Sequence, residues 1–279
     1  MLCVGIFVGL VLDSWSLPVQ NSSLVHQTRL RSKRDYSAEH YVKPEDMNAM
    51  DRILRVNQLT RDFPLREGDI LKSGSHGAQV TCLADSCRWP RAVDGFVYVP
   101  YIISRQYEDM DRITIETGML DISSATCVKF VPRTHEPNFL NIESRTGCWS
   151  YLGMTGGSQT LSLQSPGCMW SGVAAHQLMH ALGFVHEQSR SDRDYHISIL
   201  WENIPEDQRD NFRKYETNNL NTAYDYSSVM HYGRYAFSED GGPTIIPKPD
   251  PYIPMGQRDG PSLTDIHKIN ILYNCGGRV

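Results

Sequence analysis

The segment from residue 176 to residue 186 constrains the fold more than any other part of the chain, because it holds three closely spaced histidines, His176, His180 and His186. Helix positions four apart differ by about 400° in rotation and about 6 Å in rise, so His176 and His180 share one face. Gly183 can adopt the positive φ that ends a helix and turns the chain back, which lets His186 approach the same point. Three converging imidazoles with a fourth position left open are typical of a catalytic zinc site.

The order His-x-x-x-His-x-x-Gly-x-x-His is similar to the zinc motif of the metzincin metalloproteases. A second motif, Ser228-Val229-Met230-His231-Tyr232, follows downstream. Together the two motifs resemble the astacin family of metzincins, and in detail its choriolysin-like fish hatching enzymes, over most of residues 76–279. The resemblance implies an α+β fold of two subdomains, with a mixed twisted sheet, a zinc helix, a Met-turn and one zinc ion.

One residue departs from the family motif, since Gln177 stands where the family has glutamate. The family glutamate takes a proton from the zinc-bound water and passes it to the leaving amine, whereas an amide cannot accept a proton near neutral pH. General acid–base catalysis contributes typically about 10²–10⁴-fold, so we expect peptide hydrolysis to be strongly reduced or absent. Two functions stay open, a zinc metalloendopeptidase of low turnover and an inactive zinc-binding pseudoprotease that captures peptides.

The resemblance also implies roles for four residues outside the histidine motif. Met230 would form the hydrophobic floor of the Met-turn, and Tyr232 would ligate zinc at rest and then stabilise the oxyanion. Glu187 would pair with the new N-terminal ammonium after propeptide removal, and Asp69 would ligate zinc as the switch of the latent form. A core methionine, a packed tyrosine, an exposed glutamate and an ordinary Gly-Asp turn are the respective alternatives.

Three regions are predicted along the chain: a signal peptide (1–16), a propeptide with the aspartate switch (17–75) and a metalloprotease domain (76–279). The apolar run from Leu2 to Leu12 is too short to span a bilayer and precedes small residues suited to a cleavage site; a buried N-terminal strand is the alternative. The basic run 31–34 fits a convertase site or a solvated patch. We therefore expect a secreted, extracellular protein.

The cysteines fit an oxidising compartment. Cys3 leaves with the predicted signal peptide, and six remain, which allow 15 pairings. Zinc binding by these cysteines is the alternative, but no two of them have the Cys-x-x-Cys spacing. The family resemblance implies three disulfides, Cys127–Cys275, Cys148–Cys168 and Cys82–Cys87.

The formal net charge of −5 gives no reason to expect nucleic acid or an anionic membrane as a partner. The resemblance implies protein or peptide substrates, egg-envelope proteins among them, together with an activating protease and a monomeric state.

Hydrophobic patterns predict the elements that would build the domain. Strands are expected at 96–103, 127–131, 139–143 and 159–164, the last as an edge strand of the kind that pairs with extended substrate in metzincins. Helices are expected at 44–61, 107–123, 172–182, 205–215 and 263–273, with a proline-rich loop at 243–254.

Overall fold

The computed structural model describes residues 47–58, 64–71, 87–257 and 259–276. In this part of the chain the α-helices are α1 (Ala49–Asn57), α2 (Asp109–Ser123), α3 (Ser171–Ala181) and α4 (Leu263–Leu272). The strands are β1 (Leu65–Arg66), β2 (Ile70–Leu71), β3 (Val97–Ile103), β4 (Val128–Pro132), β5 (Phe139–Glu143), β6 (Cys148–Trp149), β7 (Ser158–Leu163), β8 (Ile197–Ile199) and β9 (Ile245–Pro247). None of these helices is long and apolar enough to cross a membrane.

The central sheet has the strand order β4-β3-β5-β7-β6, with four parallel strands and an antiparallel β6. Val97 and Val99 on β3 and Leu140 and Ile142 on β5 are completely buried. β-Branched and aliphatic side chains pack well on a pleated surface, which is why these runs form the core strands. The mixed sheet and its flanking helices confirm the predicted α+β class.

Helices α2 and α3 pack closely against each other, and a glycine makes this approach possible. A Cβ added to Gly118 would lie 2.8 Å from both the Ala174 Cβ and the Ser171 carbonyl oxygen. Because no side chain stands between the two backbones here, α3 sits directly on α2. All residues of α3 from Gly172 to Ala181 are buried, so this helix is a rigid base for whatever it carries.

Residues 47–58 and 64–71, which we call the N-terminal segment, pack into the same core. The α1 helix begins at Ala49 rather than at residue 44, because the Asn48 side chain accepts a hydrogen bond from the Asp51 amide and caps the helix there. Met50 and Ile53 are completely buried. Asn57 at the end of α1 donates to the Gly68 and Cys148 carbonyl oxygens, which ties the segment to β6.

The helices and strands predicted around the histidine motif are confirmed, but three other elements differ. Strand β7 is not the outer strand, because β6 pairs with its residues Ser162 and Leu163. The region predicted as a helix at 205–215 forms a 3₁₀-helix over Glu206–Phe212. The proline-rich loop contains β9, which pairs with β8.

Two disulfides join distant parts of the domain. Cys127 bonds Cys275 and Cys148 bonds Cys168, as the resemblance implied. Cys82 lies outside the described residues, so the Cys82–Cys87 pairing stays a prediction. The predicted signal peptide also lies outside them.

Candidate metal centre

Helix α3 carries the first two histidines on one face, and main-chain carbonyls of the domain fix their rings. His176 Nδ1 lies 2.8 Å from the Val229 oxygen, and His180 Nδ1 lies 2.8 Å from the Phe184 oxygen. Because a carbonyl oxygen only accepts, each Nδ1 carries the proton and each Nε2 is left as a metal donor.

The third histidine reaches the same point after the helix reverses. Gly183 has φ +102°, and the amides of Gly183 and Phe184 bond to the His180 and Met179 carbonyl oxygens. This pattern ends α3 and turns the chain toward His186. The His186 ring centroid then lies 5.3 Å from that of His176 and 4.8 Å from that of His180.

A carboxylate from the N-terminal segment completes the cluster. The Asp69 Oδ2 atom lies 2.9 Å from His176 Nε2 and 3.2 Å from His180 Nε2, while Asp69 Oδ1 lies 3.3 Å from His186 Nε2. One ligand atom from each of the four residues lies within 4.8 Å of the others. All four side chains are completely buried.

The unsatisfied atoms of the cluster fit a metal ion. Asp69 Oδ1 and His186 Nε2 are buried and have no hydrogen-bond partner, which is costly for a protein unless something else binds them. Three imidazole nitrogens and one carboxylate oxygen form a donor set typical of zinc. The cluster can therefore hold one ion.

The electrostatics of the cluster are those of a cation site. Burial alone would raise the pKa of Asp69, but the three histidines hold it well below its ordinary value. Burial lowers the pKa of His176 to about 4. For His186, burial is outweighed by Asp69 and Glu67, which raise its pKa to about 9. An ionised Asp69 thus faces the point where the imidazoles meet, and Glu67 lies on the other side of the His186 ring, at its Nδ1 atom.

Comparison with known proteins agrees with this geometry. The profile of the Astacin peptidase family matches residues 85–274. The chain belongs to the astacin family. High choriolytic enzyme 1 of Oryzias latipes is 50% identical over 225 residues, which cover 80% of this chain and 83% of that protein. The Astacin-like metalloendopeptidase of Gallus gallus is 46% identical over a stretch that covers 83% of this chain and 56% of that protein.

A solved structure extends the agreement to three dimensions. The structure of high choriolytic enzyme 1, a hatching enzyme zinc-protease from medaka, has a TM-score of 0.67 and 52% identity. The match covers 70% of this chain and 98% of that one. The metzincin fold and the zinc cofactor implied by the sequence motifs are thereby confirmed. The N-terminal segment precedes the residues matched by the astacin profile.

Gln177 faces the cluster in this astacin. Its Nε2 donates to Asp69 Oδ2 at 2.7 Å, and its Oε1 is buried without a hydrogen-bond partner. The side chain is completely buried. Gln177 is therefore a neutral donor to the carboxylate beside it, at the position where the sequence motif predicted a glutamate.

The downstream motif lies against the cluster, but its tyrosine makes a different contact from the one implied for a zinc ligand. The Tyr232 hydroxyl donates to the Glu67 carbonyl oxygen at 2.8 Å, and its ring centroid lies 5.0 Å from that of His186. Burial raises its pKa well above the ordinary value, so the phenol stays protonated. Met230 is buried in the core, and His231 is hydrogen-bonded to Tyr224.

Glu187 is a buried carboxylate that has cationic partners within the chain. Its Oε1 accepts from Arg190 Nη1 at 3.1 Å and from the Asp225 amide at 2.8 Å, while its Oε2 accepts from Lys268 Nζ. Its pairing with a new amino-terminal ammonium after propeptide removal stays a prediction, and the sequence did not single out Lys268 or Arg190 as partners. The positive charges of Arg190 and Lys268 were the only sequence signal for this pairing. No local pattern links Lys268 to Glu187, because the two lie 81 positions apart along the chain.

Glu67 is a site residue that the sequence did not single out. Its Oε2 accepts from His186 Nδ1 at 2.7 Å and from Ser189 Oγ at 2.9 Å. The side chain is completely buried and the backbone has φ +51°. The available signal was its position two residues before Asp69, but the direction of its side chain depends on the turn between them, which no periodic pattern predicts.

Proposed function

We propose that this chain is the latent precursor of a secreted zinc endopeptidase that cleaves proteins such as those of an egg envelope, with turnover slowed by Gln177. The observation that supports it most is the convergence of His176, His180 and His186 on Asp69 in a fully buried cluster. The egg-envelope substrate is proposed from the hatching enzymes among the relatives.

The three histidines are proposed as the metal ligands of the active form. When bound, zinc polarises a peptide carbonyl and lowers the pKa of its water toward about 7. The carbonyls of Val229 and Phe184 hold two of the rings in the required orientation. Tyr232 beside His186 is the candidate donor to the oxyanion once its hydroxyl leaves the Glu67 carbonyl.

The N-terminal segment is proposed as part of a propeptide that keeps the site closed. Asp69 occupies the centre of the cluster, and the chain beyond it runs alongside β6. The Leu71 amide donates to the Ser150 oxygen at 2.9 Å, and the Ser150 amide donates to the Asp69 oxygen at 3.1 Å. These main-chain bonds are the kind that an extended peptide substrate would make, so the segment and a substrate would compete for this edge.

A second function, capture of peptides without hydrolysis, is favoured by Gln177. Its amide cannot take the proton that a general base must take, and the zinc site and the strand edge would still bind peptide. The same fold therefore supports a pseudoprotease, and the two proposals differ in turnover.

The test compares the matured protein with its Gln177→Glu variant on a quenched peptide and on egg-envelope protein, with and without chelator. We expect the variant to be about 10²–10⁴-fold faster, since that is the usual contribution of a general base, and the activity to disappear with chelator. Gln164→Glu makes the same change at a residue away from the cluster, and it should keep the wild-type rate.

Equal, chelator-sensitive activity in wild type and Gln177→Glu would show that residue 177 is not the base. Peptide binding without cleavage in both proteins would instead establish the pseudoprotease. Activity that resists chelator in both would overturn the zinc mechanism.

A further inference from the structure

The three histidines of the cluster are oriented by partners of different origin. The Nδ1 atoms of His176 and His180 donate to main-chain carbonyls at Val229 and Phe184, and these belong to the astacin domain itself. The Nδ1 atom of His186 instead lies 2.7 Å from the carboxylate of Glu67. Asp69 contacts the Nε2 side of the rings, but only His186 has its Nδ1 atom held by the N-terminal segment, and only that Nδ1 atom is held by a carboxylate.

The backbone around Glu67 indicates that this contact is built into the turn. Glu67 has φ +51°, a left-handed conformation that is unfavourable for a residue with a Cβ. The next residue, Gly68, has φ +81°, and a Cβ there would lie 2.4 Å from Leu54 Cδ2. Two successive left-handed residues bring the Glu67 and Asp69 side chains to the same cluster.

The surroundings of Glu67 leave its carboxylate directed at the histidine. Ser189 Oγ donates to the same Oε2 atom at 2.9 Å, and both residues are completely buried. Tyr215 lies nearby, with its ring centroid 4.6 Å from the guanidinium carbon of Arg66, the residue before Glu67. These contacts fix the Glu67 carboxylate on the Nδ1 side of the His186 ring, opposite the Nε2 atom that faces Asp69.

A carboxylate on the distal nitrogen of a ligating histidine fixes the tautomer, orients the ring and makes the other nitrogen a better donor. We propose that Glu67 is a positioning residue for His186. Through Glu67 the N-terminal segment makes the precursor bind zinc more tightly than Asp69 and the three histidines would without the Glu67 carboxylate. The inference rests on the ligands proposed above. It assigns the segment a role in metal loading in addition to closing the site.

The test measures the zinc dissociation constant of the full-length precursor, stripped of metal and titrated against a chromophoric chelator. Loss of an outer hydrogen-bond partner of a ligand typically weakens metal binding by about 10–100-fold. We expect Glu67→Gln to lie near the lower end, because its amide oxygen can still accept from Nδ1, and Glu67→Ala near the upper end.

Three controls accompany the titration. Glu143→Gln makes the same change on β5, away from the histidines, and should bind zinc like wild type. Circular dichroism in chelator checks that each variant is folded, and if Glu67→Gln does not fold, the comparison is made with Glu67→Ala. As a third control, the N-terminal segment is cleaved off and removed from the wild-type and Glu67→Gln precursors. The two products are then the same polypeptide, so any remaining difference in zinc affinity would come from incomplete removal.

The expected weakening of zinc binding is about 10-fold or more. If both folded variants, Glu67→Gln and Glu67→Ala, bind zinc within about twofold of wild type, this inference is overturned. The ligand assignment would survive that result, since the wild type would still bind zinc. A wild-type precursor that takes up no zinc would overturn the ligand assignment as well. A loss already present in Glu67→Gln and larger in Glu67→Ala supports the proposal, because a residue with only a packing role would leave the nearly isosteric Gln variant at the wild-type value; a loss in Glu67→Ala alone would therefore count against it.

Discussion

Replacing Gln177 by glutamate in the precursor should loosen the N-terminal segment as well as restore a base. In the wild type, Gln177 Nε2 donates to Asp69 Oδ2 at 2.7 Å and both side chains are completely buried. A glutamate of the same shape would bring a second carboxylate to that oxygen. The hydrogen bond would be lost and a repulsion between like charges would replace it.

The magnitude follows from the kind of bond that is lost. A hydrogen bond to a charged group contributes about 1.5–3 kcal/mol, and about 1.4 kcal/mol corresponds to a factor of ten. Loss of this bond alone should therefore shift the equilibrium toward release of Asp69 by about 10-fold to 140-fold, and the repulsion would add to that shift. A protonated glutamate can donate to Asp69 as glutamine does, so the effect should shrink at acidic pH and be largest above neutrality.

Hydrogen exchange of the intact precursor measures this release directly. The Leu71 and Ser150 amides are protected by the bonds between the N-terminal segment and Ser150, the residue that follows β6, so both should exchange faster in Gln177→Glu by the factor above. The Gln164→Glu variant is the matched control, because its Oε1 accepts from the Gly147 amide at 2.8 Å and a carboxylate would do the same. Unchanged protection of Leu71 and Ser150 in Gln177→Glu would refute the reasoning.

Two further predictions concern backbone conformation and pH. Gly68→Ala should lower the melting temperature of the precursor more than Gly241→Ala does. Both glycines have φ near +80°, but only a Cβ at residue 68 would meet a neighbour, Leu54 Cδ2 at 2.4 Å. Equal shifts of the melting temperature in the two variants would contradict this. Burial raises the pKa of Asp265 from 3.8 to about 6, so its contribution to stability is complete below about pH 4 and is lost as the pH rises through about 6. In wild type this loss lowers the free energy of unfolding by up to about 3 kcal/mol between about pH 4 and about pH 8. The Asp265→Asn variant should lack it, so urea unfolding at the two pH values should give a smaller stability difference for the variant than for wild type. An equal difference in the two proteins would count against the assignment.

The histidine cluster could be predicted from sequence because its geometry is local. Two ligands four apart on one helix and a glycine three positions later determine where the rings point, whatever the rest of the fold. The positive φ of Gly183 and the convergence of His186 agree with that prediction. The four parallel strands of the central sheet were predictable for a similar reason, since their buried residues form short β-branched and aliphatic runs.

Contacts between distant residues could not be predicted in this way. The bond from His186 to Glu67 spans 119 positions, and it depends on a left-handed turn that no hydrophobic pattern marks. The same holds for Lys268 on Glu187. Strand β7 was predicted as an edge because it alternates, but its partner β6 has only two residues, too few to leave a periodic pattern.

The hydrogen bonds of the cluster divide it into a part that is permanent and a part that the N-terminal segment supplies. His176 and His180 depend on carbonyls of the domain, while His186 Nδ1 and the Tyr232 hydroxyl both bond to Glu67. With a divalent ion bound, the carboxylates of Glu67 and Asp69 balance its charge. Departure of the segment would remove both carboxylates and free the tyrosine in a single step, which leaves a net positive site beside a phenolic donor. Because a developing oxyanion is stabilised by such an arrangement, a segment that acts as the proposed propeptide would block both the position of the substrate and the charge that would activate it.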